Sequence, residues 1–135
     1  MNKYITELIG TLFLVMGAAL GGAMGASLAL MVMIYAGGHI SGGHYNPAVT
    51  LSVWMRGKIE MKDAVMYWIF QFAGAVIAAL LVAYIFGVEG GASCVIPDGG
   101  GTKAMLAELL GTFALAYVVL NVATAKGTNG NSFYG

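Results

Sequence analysis

The residues best suited to chemistry lie together in the segment 37–50, around Asn46-Pro47-Ala48. Pro47 fits the first position of a helix, where its missing N–H costs nothing, and Asn46 is a favoured N-cap residue. The unpaired N–H groups at such a helix start carry roughly half an elementary positive charge. An Asn46 amide that faces a lumen could therefore donate a hydrogen bond to a passing oxygen atom.

The residues before this helix start supply acceptors. We expect the carbonyl groups of Gly42, Gly43, His44 and Tyr45 to be unpaired by any helix and to form a row. A donor at one point and acceptors in a row suit a small molecule that both donates and accepts hydrogen bonds, whereas the helix dipole repels cations. The chemistry indicated is passage of a neutral molecule.

Other kinds of site are less well supported by the sequence. His39 and His44 could suggest a metal site, but zinc needs three or four ligands and no others cluster here. We interpret both histidines as capping backbone groups of the loop. The sequence offers no nucleophile paired with a base, so we predict no metal, no cofactor and no enzymatic activity.

The composition places the chain in lipid. Hydrophobic residues make up 59% of it and charged residues only 9%, whereas soluble domains are about a quarter charged. The formal net charge of zero leaves no basic patch for nucleic acid. The single Cys94 permits no internal disulfide.

Long stretches without charged residues predict an all-α membrane protein with a single domain over residues 1–135. A span needs about 20 apolar residues, and no charge occurs between Glu7 and Arg56. We predict helix 1 over about 4–20, helix 2 over about 23–38, helix 3 over about 62–87 and helix 4 over about 103–125. Gly21-Gly22 would join the first two, and Tyr67 and Trp68 would anchor helix 3 at the membrane interface.

The positive-inside rule sets the orientation. A cytoplasmic N-terminus in an inner or plasma membrane leaves only Lys103 outside and places the other cations inside: Lys3, Arg56, Lys58, Lys62 and Lys126. The segment 39–56 must then begin and end on the cytoplasmic side. Its apolar part, 49–55, is too short to cross, so we predict a re-entrant loop and half-helix. Irregular backbone at this depth needs protein or a water-filled cavity beside it.

An internal repeat relates the two halves of the chain. The residues around Glu7 (Thr-Glu-Leu-Ile-Gly-Thr) resemble those around Glu108 (Ala-Glu-Leu-Leu-Gly-Thr). An odd number of spans between the copies makes this an inverted-topology repeat. A carboxylate at the same place in both copies strengthens the relation, because intramembrane carboxylates are costly and rarely accidental.

The run 38–50 resembles the first signature loop of the aquaporin and aquaglyceroporin family. Residues 107–113 look like the start of that family's fourth helix, and residues 130–135 look like the approach to its fifth. The resemblance implies a passive pore for water or small neutral solutes such as glycerol, with Asn46, Pro47 and Ala48 at its narrowest point. It also implies tetramers in which each monomer has its own pore.

The resemblance assigns roles to further residues. Glu7 would brace the re-entrant loop by accepting backbone N–H bonds. Glu108 would brace a second loop that is absent here, so its charge would be unpaired or neutralised. Ala26 would contribute to the outer constriction, and its small side chain favours a wide opening that passes glycerol as well as water.

The chain departs from the family pattern in having four spans and one half-helix. The second Asn-Pro-Ala, and the arginine that follows it in the family, do not occur. We therefore expect a second copy or a complementary half to complete the pore. The alternative is a non-conducting fragment or membrane interaction protein that associates with full-length relatives.

Overall fold

A computed structural model describes residues 2–87 and 101–130, and all regular elements in these ranges are helical. They are α1 (Asn2–Ser41), α2 (Pro47–Met55), α3 (Met61–Phe86), α4 (Gly101–Thr124) and a 3₁₀ turn (Lys126–Thr128). Helices α1, α3 and α4 are long and apolar enough to cross a membrane. Residues 88–100, which include Cys94, and residues 131–135 lie outside the described residues.

Helix α1 is a hairpin of two antiparallel arms, residues 2–21 and 23–41. The backbone leaves helical geometry at Gly22, with φ 57° and ψ −144°, a conformation open mainly to glycine. Gly17 then packs against the Gly25 backbone so closely that an added Cβ would overlap it. Since each arm has about 20 residues, each is long enough for one span.

Two predicted boundaries need correction. Helical structure continues to Ser41 rather than ending at residue 38, and the Gly42 N–H still donates to the Gly38 carbonyl at 2.9 Å. The re-entrant loop therefore begins at Gly42 and not at residue 39. Helix α4 begins at Gly101 instead of residue 103.

Small residues let α3 lie against the first arm of α1. An added Cβ on Gly74 would overlap the Leu8 carbonyl, and Ala64 and Ala78 on α3 are fully buried. Close backbone approach through small residues is typical of helix pairs in membranes. The half-helix α2 contacts α3 and α4. No residue of α4 is buried, so α4 meets the rest of the described chain mainly through α2.

The distribution of side chains is inverted relative to a soluble protein. Large apolar residues such as Phe72 and Tyr84 are 62% and 88% exposed. The buried set includes six polar side chains: Glu7, Thr11, Ser41, His44, Thr50 and Gln71. This inversion suits a lipid environment, because lipid solvates the apolar exterior and only the interior can pair polar groups.

We predict opposite effects of Gly→Ala at two helical positions. Gly74→Ala should destabilise the fold by about 1–3 kcal/mol because the new Cβ forces α3 away from α1. Gly111→Ala is the matched control: nothing lies within 4 Å of its added Cβ, so only the favourable helix propensity of alanine remains. Unfolding in mixed SDS micelles, followed by circular dichroism, measures both. Equal effects would contradict the close approach.

Candidate functional site: the re-entrant loop and half-helix

The sequence around Asn46 starts a helix in the expected way. Asn46 is the N-cap of α2, with φ −147° and ψ 129°, and Pro47 is its first residue. The Asn46 Oδ1 accepts from the Ala48 N–H at 2.8 Å. This bond fixes the orientation of the amide, whose NH₂ group has no hydrogen-bond partner among the described residues. The half-exposed Asn46 thus keeps a donor available.

The loop that precedes Asn46 turns through left-handed backbone. Gly42 and Gly43 have φ 90° and 66°, and Tyr45 has φ 49° as the one non-glycine residue with positive φ in the described ranges. The carbonyl groups of Gly42, Gly43 and His44 accept no hydrogen bond within those ranges. The Tyr45 carbonyl differs from them, because it accepts from Thr11 Oγ1 at 3.1 Å. Of the four carbonyl groups predicted to be unpaired, three are therefore without a hydrogen-bond partner among the described residues.

Glu7 lies beneath this loop with its carboxylate fully buried. Its Oε1 accepts from Ser41 Oγ at 2.6 Å and from the His44 N–H at 3.0 Å. Its Oε2 accepts from the Tyr45 N–H at 2.7 Å and from Gln71 Nε2 at 2.8 Å. Four donors match the acceptor capacity of one carboxylate, so a single side chain joins both arms of α1, the loop and α3.

Gln71 is a contributor that the sequence analysis missed. Its Nε2 donates to Thr50 Oγ1 at 2.9 Å as well as to Glu7, which ties the half-helix to the same network. Its Oε1 is buried and has no partner among the described residues. An isolated amide in the apolar stretch of α3 was the available signal, since an intramembrane polar group is expensive without a partner.

Two aromatic residues of α3 bond the backbone on either side of the loop. Tyr67 is 2% exposed, and its hydroxyl donates to the Ser41 carbonyl at 2.6 Å. Trp68 Nε1 donates to the Pro47 carbonyl at 3.1 Å. The prediction of an interface anchor is therefore wrong for the buried Tyr67, whereas Trp68 is partly exposed and the prediction stays open there.

The two histidines have different environments. His44 is buried, with Nδ1 3.0 Å from Thr50 Oγ1 and its ring edge-on to Tyr67 at 5.1 Å between centroids. His39 is exposed in the last turn of α1, so its predicted place in the loop is wrong. Among the described residues, no three His, Cys, Asp or Glu side chains come together in a way that could hold a metal ion.

A cavity of about 860 Å³ borders the loop. Gly42 and His44 line it on one side, and the ends of α2 and α4 line it on the other. Lys3, Lys58 and Lys126 surround the same cavity. Three cations far apart in sequence therefore lie at one end of the helical bundle.

The remaining predicted positions lie away from this cavity. Ala26 is partly exposed on the second arm of α1 and is not among the residues that line the cavity. Glu108 is exposed on α4 and has no hydrogen bond within the described ranges. The two glutamates of the repeat thus have opposite surroundings.

We predict that Glu7→Gln loosens the loop. An amide NH₂ in place of one carboxylate oxygen would face two donors, and leaving buried donors unpaired costs about 1–3 kcal/mol. Amide hydrogen exchange of residues 42–46 in detergent should accelerate accordingly. Glu108→Gln is the matched control at the equivalent, exposed position, where an effect within about 0.5 kcal/mol is expected. Similar responses of the two variants would argue against the network.

Comparison with known proteins places this geometry in a family. The profile described as "Major intrinsic protein" matches residues 17–133. Glycerol uptake facilitator protein-like 6 of Lactiplantibacillus plantarum is 34% identical over 92% of this chain and 64% of its own length. Aquaporin NIP1-1 of Zea mays is 33% identical over 92% of this chain and 50% of its own.

A third relative, probable aquaporin TIP1-2 of Oryza sativa subsp. japonica, is 40% identical over 72% of this chain and 39% of its own length. The chain thus spans 39% to 64% of these relatives. The family profile covers most of the chain, including the loop and half-helix. The chain therefore belongs to the major intrinsic protein family and is an integral membrane protein with an aquaporin-like all-α fold.

Proposed function

We propose that this chain forms part of the wall of a passive transmembrane channel for water and small neutral solutes such as glycerol. The observation that carries the proposal is the hydrogen bonding of the Asn46 side chain. Its Oδ1 is used by the Ala48 N–H, so its NH₂ remains as a donor at the positive end of α2. Few structural purposes need a free amide donor at an N-cap.

The permeation pathway follows from the groups around Asn46. A solute in the cavity beside His44 and Gly42 would pass the free carbonyls of residues 42–44 and then receive a hydrogen bond from Asn46. Pro47 and Ala48 set the start of the half-helix, whose dipole disfavours cations. Glu7 acts by bracing the loop, so that these groups are already in place when the solute arrives.

The solute class is proposed from the small side chain at Ala26 and from the relatives. A small side chain at Ala26 would leave the outer constriction wide enough for glycerol. The names of the similar proteins include both a glycerol uptake facilitator-like protein and aquaporins. Transport of this kind needs no catalytic group.

We further propose that a second copy or a complementary half closes the lumen, within the tetramer implied by the family. Support comes from α4, which contacts α2 but has no buried residue, so most of its surface is available to lipid or to another chain. The same exposed surface suits the alternative, a non-conducting protein that associates with longer relatives. Osmotic assays distinguish the two.

We predict that proteoliposomes containing the chain swell in isosmotic glycerol and shrink in hyperosmotic medium faster than protein-free vesicles. Asn46→Asp should lower both rates by roughly tenfold or more, because aspartate still caps the helix but offers no donor and adds charge. Asn2→Asp, at an exposed position, is the control and should match the unaltered chain. Rates equal to protein-free vesicles, with incorporation verified, would contradict the channel and favour the non-conducting alternative.

The proposed orientation places the N-terminus in the cytoplasm. Lys3, Lys58 and Lys126 surround one cavity, whereas Lys103 lies at the opposite end of α4, roughly 30 Å or more away at 1.5 Å per residue. Excess positive charge is retained on the cytoplasmic side.

We predict opposite labelling of two single-cysteine variants built on Cys94→Ser. A membrane-impermeant maleimide applied to whole cells should label Lys103→Cys and not Lys58→Cys, and inverted vesicles should give the reverse. Cys94→Ser alone is the control for background. Labelling of Lys58→Cys from outside would contradict the orientation.

A further inference from the structure

Tyr45 combines deep burial with a backbone conformation that is unusual for a residue other than glycine. It is 1% exposed and has a left-handed backbone, with φ 49°. Residues other than glycine rarely adopt this backbone conformation, and it persists where surrounding contacts fix it. It is also the residue directly before Asn46, so its peptide plane sets the direction in which the half-helix begins.

Each polar group of Tyr45 is held by a different part of α1. Its N–H donates to Glu7 Oε2, and its carbonyl accepts from Thr11 Oγ1. Its hydroxyl donates to the Met33 carbonyl at 2.9 Å. The first two partners lie on one arm of the hairpin and the third on the other, so the residue is fixed relative to both arms.

The ring of Tyr45 occupies space left by two glycines. An added Cβ on Gly10 would overlap the ring carbons, and an added Cβ on Gly37 would overlap the hydroxyl oxygen. Gly37 follows Met33 by one helical turn, so its missing side chain also opens the path from the phenol to the Met33 carbonyl. The three residues are complementary in size, because the large Tyr45 side chain fits between two glycines that have no side chain, one on each arm.

We propose that Tyr45 is a positioning residue that sets the depth of the re-entrant loop, and thereby determines where Asn46 and the free carbonyls meet the solute. The ring, acting as a spacer between the two arms, fixes the distance of the loop from α1. The hydroxyl fixes its position along the second arm. This inference rests on the proposed channel function for its effect on selectivity, whereas its effect on the loop is independent of conduction.

Two measurements on the full chain test the proposal. Amide hydrogen exchange of residues 42–48 in detergent reports the loop, and the ratio of glycerol to water permeability in proteoliposomes reports selectivity independently of the amount of folded protein. Tyr45→Phe keeps the ring and removes the hydroxyl that donates to the Met33 carbonyl. We expect exchange about fivefold faster, the factor equivalent to one neutral hydrogen bond, and a permeability ratio changed by about threefold or more.

A pair of compensating substitutions, one that adds volume and one that removes it, tests the fit of the ring. Gly10→Ala and Tyr45→Leu should each accelerate amide hydrogen exchange in the loop. The acceleration in the double variant should be smaller than the two single effects combined, because the added methyl group enters the space that the ring vacates. Gly111→Ala, at the exposed counterpart of Gly10, is the control and should change neither measurement.

The outcomes separate the two proposals. Unchanged exchange and an unchanged permeability ratio in Tyr45→Phe, or strictly additive effects of the compensating substitutions, would overturn the role of Tyr45. Vesicles that do not conduct even with the unaltered chain would refute the channel, while the exchange measurements would still decide whether Tyr45 positions the loop.

Discussion

A buried carboxylate with four hydrogen-bond donors joins the two arms of α1, the loop and α3. Glu7 receives bonds from Ser41, the loop backbone and Gln71, and these partners lie on three different segments. Placing a charge inside an apolar bundle is costly unless its hydrogen-bonding capacity is filled. The geometry of the loop is what fills it, so the carboxylate and the loop each require the other.

The same reasoning explains where the remaining polar side chains lie. A stretch of non-helical backbone inside a membrane protein needs partners that lipid cannot supply. Thr11 supplies one to the Tyr45 carbonyl. Tyr67 and Trp68 bond the carbonyls of Ser41 and Pro47, where the flanking helices α1 and α2 meet the loop. The carbonyls of residues 42–44 and the Asn46 NH₂ have no hydrogen-bond partner in the part of the chain that the structure describes. In the proposed channel, the permeating solute takes the place of the missing partners.

Close packing of backbones makes this network possible. Gly74 admits α3 to the first arm of α1, Gly17 and Gly25 let the two arms meet, and Gly10 and Gly37 make room for Tyr45. In lipid, helices gain little from burying apolar surface, so contact at short distance and interhelical hydrogen bonds supply the attraction. The glycine pattern and the polar network are therefore two parts of one packing arrangement. Helix α4 takes little part in it, since it contacts α2 and has no buried residue.

The sequence by itself determined the elements and the central motif. The long uncharged stretches indicated the membrane helices, and Asn46-Pro47 indicated a helix start with a cap, because both signals depend on local composition and backbone preference. The charge distribution also required a segment that enters the membrane without crossing it. These inferences needed no knowledge of which side chains meet.

Only the tertiary structure decided the contacts. Thr11 bonds the loop directly, whereas Tyr67 bonds the end of α1 and Gln71 bonds Glu7 and the half-helix. Helices distant in sequence bring these side chains together, and no spacing rule relates them to Asn46. The α1 helix runs on to Ser41, where the sequence suggested an earlier end at paired glycines, because the last turn places Ser41 against Glu7. Long-range hydrogen bonds thus overrode a local signal. The Asn46-Pro47-Ala48 motif depends on local sequence and could be predicted from it, whereas the side chains that position the loop depend on contacts between distant segments and could not.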